Sequence, residues 1–329
     1  MALCLLGIMA LAYFYFFASM LKGGETQYVY IDADDTADSV RAKLSPIAAS
    51  SAMSGFNCLA SYVGYYDHLR TGRYALEPGM GAVTVLRRLR NGQQSPVRLT
   101  IPEVRTLDRV AALFSRKLML DSAAVAAAFA DSAFCAALGH DSCTLPALFV
   151  ADTYEVYWNT PLDKLMERLS QEHDKFWNEE RRTKAQAAGL TPDEVCTLAS
   201  IVDEETANLD EKPMVAGMYI NRLKENMPLQ ADPTVKFALK DFAAKRIYRK
   251  MLDTESPYNT YRNAGLPPGP IKIASSDGID AVLNYEHHNY LYMCAKEDFS
   301  GTHNFATTYK EHLDNAARYA KALNERGIK

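Results

Sequence analysis

Glu205 is the carboxylate with the clearest chemical potential in this 329-residue chain, because it falls on the apolar stripe of a helix. The segment Thr191-Pro192-Asp193-Glu194 starts that helix. Thr191 can cap it, Pro192 suits the first helical position, and Glu194 completes a capping box. At about 100° per residue, Val195, Leu198, Ala199, Ile201 and Val202 gather on one side. Glu205 continues the stripe one turn further on, while Glu204 points away. Desolvation disfavours the charged form of a carboxyl on such a surface and raises its pKa. A general acid working near neutral pH needs that shift. The plain alternative is a helix-end glutamate that reaches solvent.

The elements after this helix have to position the carboxylate. Asp210 can cap a helix running through Val215, Met218, Tyr219 and Leu223 to about Asn226. Polar loops follow at Gln230–Thr234 and Ser256–Tyr261, and then a stiff Gly265–Ile271 that cannot be helix or central strand. Asn289–Ala295 reads as a buried strand, Gly301–Phe305 as a turn and Tyr309–Asn324 as a closing helix. Asn221, Gln230, Tyr258, Asn259 and Tyr261 are groups that a sugar-binding groove uses, since aromatic faces stack on rings and amides meet hydroxyls. Tyr258 or Tyr261 alone reads as core packing ahead of ligand contact. The basic run Lys240, Lys245, Arg246, Arg249 and Lys250 reads as a solvated helix face.

The first half repeats a cassette of strand, turn and helix. Tyr28–Ile31 leads to a helix over Ala37–Leu44, Gly72–Leu76 to one over Ala82–Leu89, and Val97–Ile101 to one over Leu107–Leu120. Ala123–Ala137 and Leu162–Ala188 read as single helices, and Gly189-Leu190 punctuates the chain before the Glu205 helix. This is an α+β pattern with modest sheets. Ala2–Leu21 carries no charge over twenty residues, about the length that crosses a bilayer, and predicts an uncleaved transmembrane anchor.

Composition narrows the function classes. The chain is 48% hydrophobic and 23% charged, with net charge −4, which argues against a nucleic-acid partner. Its six cysteines form no Cys-x-x-Cys pair, so a zinc site is not expected; Cys135 and Cys143 are either a short-loop disulfide or two free thiols. Nucleophile-elbow, phosphate-loop and His-Glu-x-x-His motifs are missing from the sequence. Glu286-His287-His288 makes a poor metal site, since adjacent histidines diverge on regular structure.

Several stretches in order resemble the MltG (YceG-like) family of endolytic murein transglycosylases. They are Leu198–Thr206, Tyr219–Leu223, Leu229–Val235, Tyr258–Tyr261, Gly265–Ile271, Tyr290–Tyr292 and His303–Phe305, preceded by Phe149–Tyr154. The resemblance implies an anchor over 1–24, a small LysM-like α+β domain over 25–147 and a mixed α/β catalytic domain over 148–329. It makes Glu205 the catalytic residue. It also implies that Asn221, Arg222, Gln230, Asp232, Thr234, Tyr258, Asn259, Tyr261 and His303 contact substrate, with no metal or cofactor. Two departures stand out: Asp203 occupies the first acidic position of the family's Glu-x-Glu-Thr, and Ala231 replaces a threonine.

The implied substrate is the peptidoglycan glycan strand, cut between MurNAc and GlcNAc to leave a 1,6-anhydro end. The substrate's own C6 hydroxyl replaces the second carboxylate that glycoside hydrolysis uses. The resemblance also implies a single-pass protein of the bacterial cytoplasmic membrane, held by residues 2–21, with its catalytic domain outside and wall-synthesis proteins as partners. The alternatives are a hydrolytic muramidase and a non-catalytic wall-binding scaffold.

Overall fold

The computed structural model describes residues 2–244 and 246–327, so Lys245 of the basic run lies outside the described residues. The fold is mixed α+β, rich in helices, with three two-stranded sheets among those residues. The backbone forms two units. The first runs to Leu99 and includes Phe114–Asp121 and Thr153–Leu162; the second holds Thr100–Leu113, Ser122–Asp152 and the chain from Asp163 onward.

The first unit begins with α1 (Ala2–Ala12) and a π-helical turn, Tyr13–Phe17. Leu6, Ile8, Leu11 and Phe14 are exposed on this segment. Helical structure ends at Phe17, and Met20 and Leu21 enter the unit's apolar core. The Met20 amide donates to Met80 O at 2.7 Å. The expected membrane-crossing helix over 2–21 is therefore divided: among the described residues, no helix is long and apolar enough to cross a membrane.

Strand β1 (Gln27–Ile31) turns Val29 and Ile31 inward and pairs antiparallel with β2 (Gly72–Leu76), with Tyr30 opposite Arg73. Two helices intervene. Helix α2 (Ala37–Leu44) has a capping box from Thr36 and Ser39. Helix α3 (Ser50–Tyr62) was not expected, because its Ser- and Gly-containing start hides the apolar period. Helix α4 (Ala82–Arg90) and strand β3 (Val97–Thr100), paired with β4 (Thr153–Val156), complete the regular elements.

Helix α5 (Leu107–Lys117) is followed by α6 (Ser122–Ala130) and α7 (Ser132–Ala137), which replace the single helix expected there. The break is chemical: Asp131 leaves helical geometry and accepts from the Phe134 amide at 2.8 Å. The expected Leu162–Ala188 helix likewise splits into α8 (Leu162–Phe176) and α9 (Glu179–Ala188), with Asn178 capping the second. Short polar side chains compete with the helix for backbone amides, and here they win. Cys135 and Cys143 are free thiols, and the Cys135 Sγ faces Phe129 O.

In the second unit, α10 (Pro192–Glu205) lies among α11 (Lys212–Lys224), α12 (Asp232–Leu239) and α13 (Ser276–Leu283). Val195, Leu198, Ile201 and Val202 pack with Val215, Met218, Ile279 and Val282 in one core. The expected buried strand is a half-buried hairpin of β5 (Tyr292–Ala295) and β6 (His303–Ala306), before α14 (Tyr309–Glu325).

Gly55 and Gly81 allow the segment after α1 to approach α3 and α4. A Cβ at Gly55 would sit 2.0 Å from Tyr15 O, and one at Gly81 would sit 2.7 Å from Phe16 O. Gly55→Ala should destabilise the first unit by about 1–3 kcal/mol, as overpacking of a tight contact does. Urea melts of the variant and parent measure it.

Candidate active site

Helix α10 starts as its sequence predicts. Thr191 Oγ1 accepts from the Glu194 amide, and the Glu194 carboxylate accepts from the Thr191 amide at 2.7 Å. Every residue from Val195 to Val202 is buried, so the helix is enclosed on all sides rather than along one stripe. Its last turn then carries three consecutive acids, Asp203, Glu204 and Glu205. The carboxyl end of a helix carries partial negative charge and disfavours anions. Each acid needs compensation.

Two of them receive cations. Asp203, 1% exposed at its side chain, accepts from Lys212 Nζ at 2.5 Å. It also accepts from the Ser275 amide and hydroxyl, both at 2.8 Å, and Ser275 caps α13. Glu204 pairs with Arg105 at 2.5 Å and faces Lys272 at 3.7 Å. Glu205 has no ion pair among the described residues. Tyr219 Oη, on the facing α11, donates to its Oε1 at 2.8 Å. Burial pushes the Glu205 carboxyl up to about 7, and the charge of Asp232 adds to the rise. The Tyr219 hydrogen bond and the positive charges of Lys236 and Arg222 oppose it without cancelling it. That shift is the one a proton donor working near neutral pH needs.

The structure brings Glu205 together with Tyr219, Asp232 and Tyr261. Asp232, at the start of α12, accepts from Tyr261 Oη at 2.7 Å. The expected loop Gln230–Thr234 turns into the first turn of α12 at Asp232, and it meets the second loop where the Gln230 amide donates to Thr260 O at 3.1 Å and the Thr234 and Thr260 hydroxyls lie 2.8 Å apart. Gln230 has a positive φ of 52° and an exposed side chain beside Asp232. Its side chain and that of Asp232 are open to a ligand.

Other expected contact residues are engaged within the protein, four of them with backbone carbonyls. Asn221 Nδ2 donates to His288 O at 2.7 Å and Tyr290 O at 3.0 Å. Buried Arg222 donates to Leu291 O at 2.6 Å and Leu229 O at 2.7 Å. Asn259 is fully buried and donates to Leu252 O and Thr254 O, both at 2.8 Å. Thr234 Oγ1 donates to Ala231 O at 2.7 Å. Tyr258 packs its ring 4.7 Å from that of Phe237. His303 is tied to Glu211 through its amide and Nδ1. These six residues are tied to other parts of the protein, whereas Tyr219, expected only as one residue of its helix, makes the direct contact with Glu205. Its place in Tyr219–Leu223, beside Asn221 and Arg222, was the available signal.

Folded Glu205 holds its proton more tightly than the unfolded chain does, so the stability it supports is complete below about pH 4.5 and is lost as pH rises through about 7. Glu205→Gln should therefore be near neutral at acid pH and stabilise by about 1–3 kcal/mol above pH 8. Melting temperatures across that range provide the check. Asp203→Ala strands the Lys212 charge in the interior and should cost about 3–5 kcal/mol, read from urea melts.

Comparison with known proteins places this geometry in context. The YceG-like family matches residues 29–318. An endolytic murein transglycosylase of Bacillus subtilis is 28% identical over 308 residues, which cover 88% of this chain and 84% of that protein. One from Streptococcus pneumoniae is 29% identical over 297 residues, covering 81% of this chain and 53% of its own longer length. The crystal structure of a yceG-like protein from Listeria monocytogenes superposes with a TM-score of 0.58 at 27% identity, covering 89% of this chain and 99% of that one. A family match over so much of its length means that this chain belongs to the YceG-like family.

Proposed function

We propose that this protein is an endolytic murein transglycosylase that cleaves the bond between MurNAc and GlcNAc within peptidoglycan strands. The observation that carries the reading is Glu205: the one acid of its helix turn left without a cation, with a carboxyl pushed up to about 7. Relatives covering most of the chain are named for this activity.

The reaction needs one carboxyl in two protonation states. Glu205 enters protonated and donates to the glycosidic oxygen, so the C1–O bond breaks and GlcNAc leaves with a free 4-hydroxyl. The C6 hydroxyl of MurNAc attacks C1, and the Glu205 carboxylate takes its proton. The product is a 1,6-anhydro end, with no water consumed and Glu205 reset. Tyr219 fixes the carboxyl and stabilises its charged form between the two transfers. Asp232, held by Tyr261, supplies negative potential toward positive charge developing at C1. Gln230 is placed to meet the sugar's substituents. Asn221, Arg222, Thr234 and Asn259 act by holding the walls, and we give Tyr258 and His303 no part in proton transfer. The reaction requires no metal or cofactor.

Murein lies outside the cytoplasmic membrane, which sets the compartment of the catalytic unit. The exposed apolar side chains of α1 and the turn after it support insertion of that segment in lipid. The strand–helix–helix–strand order over Gln27–Leu76 supports the LysM-like reading of the amino-terminal region. Cleavage within nascent strands would end their elongation, and proteins of wall synthesis are the expected partners.

Glu205→Gln should remove anhydro-ended products from a digest of purified strands while leaving the fold intact. Mass spectra showing reducing ends from the parent would instead assign a hydrolytic muramidase, with Asp232 as the second carboxylate. Tyr219→Phe removes a bond that favours the charged form of Glu205. Its alkaline limb of activity should therefore move up by about one pH unit or less, as initial rates against pH will show.

A further inference from the structure

The outer face of the first unit's sheet carries a second set of chemistry, around an open groove of about 780 Å³. The alternation that buries Val29 and Ile31 sends Tyr28 and Tyr30 outward, where they remain 47% and 40% exposed. The Arg73 guanidinium lies 3.6 Å over the Tyr28 ring, and the Trp158 ring meets Tyr30 edge-on at 5.1 Å. Three aromatic rings thus line the groove and are braced by neighbours, so a ligand meets them already ordered.

Cations surround these rings. Arg98 points outward from β3, and Arg116 and Lys117 end α5 at the same groove. All three are exposed, and no carboxylate pairs with any of them among the described residues. Of the two carboxylates in the lining, Glu77 is neutralised by Arg88 at 2.8 Å, which leaves Glu155. The groove is positive within a chain of net charge −4. Aromatic faces beside unpaired cations suit a polymer that presents rings and carboxylates together. The lone Glu155 among the cations disfavours a dense polyphosphate.

We infer that this groove binds a glycan strand by its peptide stems, with sugar faces on Tyr28, Tyr30 and Trp158 and stem carboxylates on Arg98, Arg116 and Lys117. The choice of polymer rests on the proposed function. The groove makes strand capture depend on the stems, separately from the chemistry at Glu205.

The test uses the full chain carrying Glu205→Gln, so that strands stay intact, with soluble glycan strands either stem-bearing or stripped by an amidase. Stem-bearing strands should bind about tenfold more tightly, a preference that weakens at roughly 300 mM salt. Arg98→Glu with Lys117→Glu should abolish the preference, and Trp158→Ala should weaken both strands about tenfold. Unchanged melting temperatures establish that these surface variants fold. Equal binding of the two strand types, or a preference that survives charge reversal, overturns the inference. So does tighter capture of a single-stranded DNA oligomer by the same residues. Failure of the parent protein to produce anhydro ends would overturn the catalytic reading alone and leave this binding result standing.

Discussion

Three carboxylates at the closed end of a buried helix form the constraint on which the second unit is organised. Helix α10 is enclosed on every side, and its carboxyl end already carries partial negative charge. Lys212 pairs with Asp203, and Arg105 and Lys272 reach Glu204. Glu205 receives a tyrosine hydroxyl instead. A neutral donor can hold a carboxyl in place without holding it charged. Two neighbours are thus paired with cations, while burial raises the pKa of the third.

The same constraint explains the surrounding architecture. Asp203 reaches both Lys212 and the Ser275 cap, so it ties the starts of α11 and α13 to the end of α10. A Cβ at Gly278 would lie 2.4 Å from Asp203 Oδ1, which is why this first turn of α13 needs a glycine. Glu204 recruits Arg105 and Lys272 from outside the helical core. Around Glu205, Arg222 and Asn221 fasten loop carbonyls from 229 and 288–291. Buried polar groups that satisfy backbone carbonyls in this way fix loop shape, and the loop shape sets where Gln230, Asp232 and Tyr261 stand.

Much of the fold was legible because its signals are local. The Thr191 capping box, the alternation in β1 and the closing helix α14 each follow from side chains within a few residues of one another. The failures were also local in origin. Asp131 and Asn178 were read as tolerable within helices, yet each caps a new one, since a short side chain that finds a backbone amide ends the preceding segment. Helix α13 was unreadable for a different reason: its start is fixed by Ser275 and a carboxylate more than seventy residues away.

The sequence by itself determined where the Glu205 helix begins, because its capping box is formed by side chains three residues apart. It also determined the family, through short stretches in a readable order. The tertiary structure decided which acids of that turn meet cations and which one meets a tyrosine hydroxyl. Residue type and the family resemblance gave Asn221, Arg222, Thr234 and Asn259 the look of ligand contacts, and each donates to backbone carbonyls. Tyr219, one residue of the helix pattern, proved to be the hydrogen-bond partner of Glu205. Hydrogen-bond partners and desolvation depend on which chain segments meet in space, and no local pattern records that meeting.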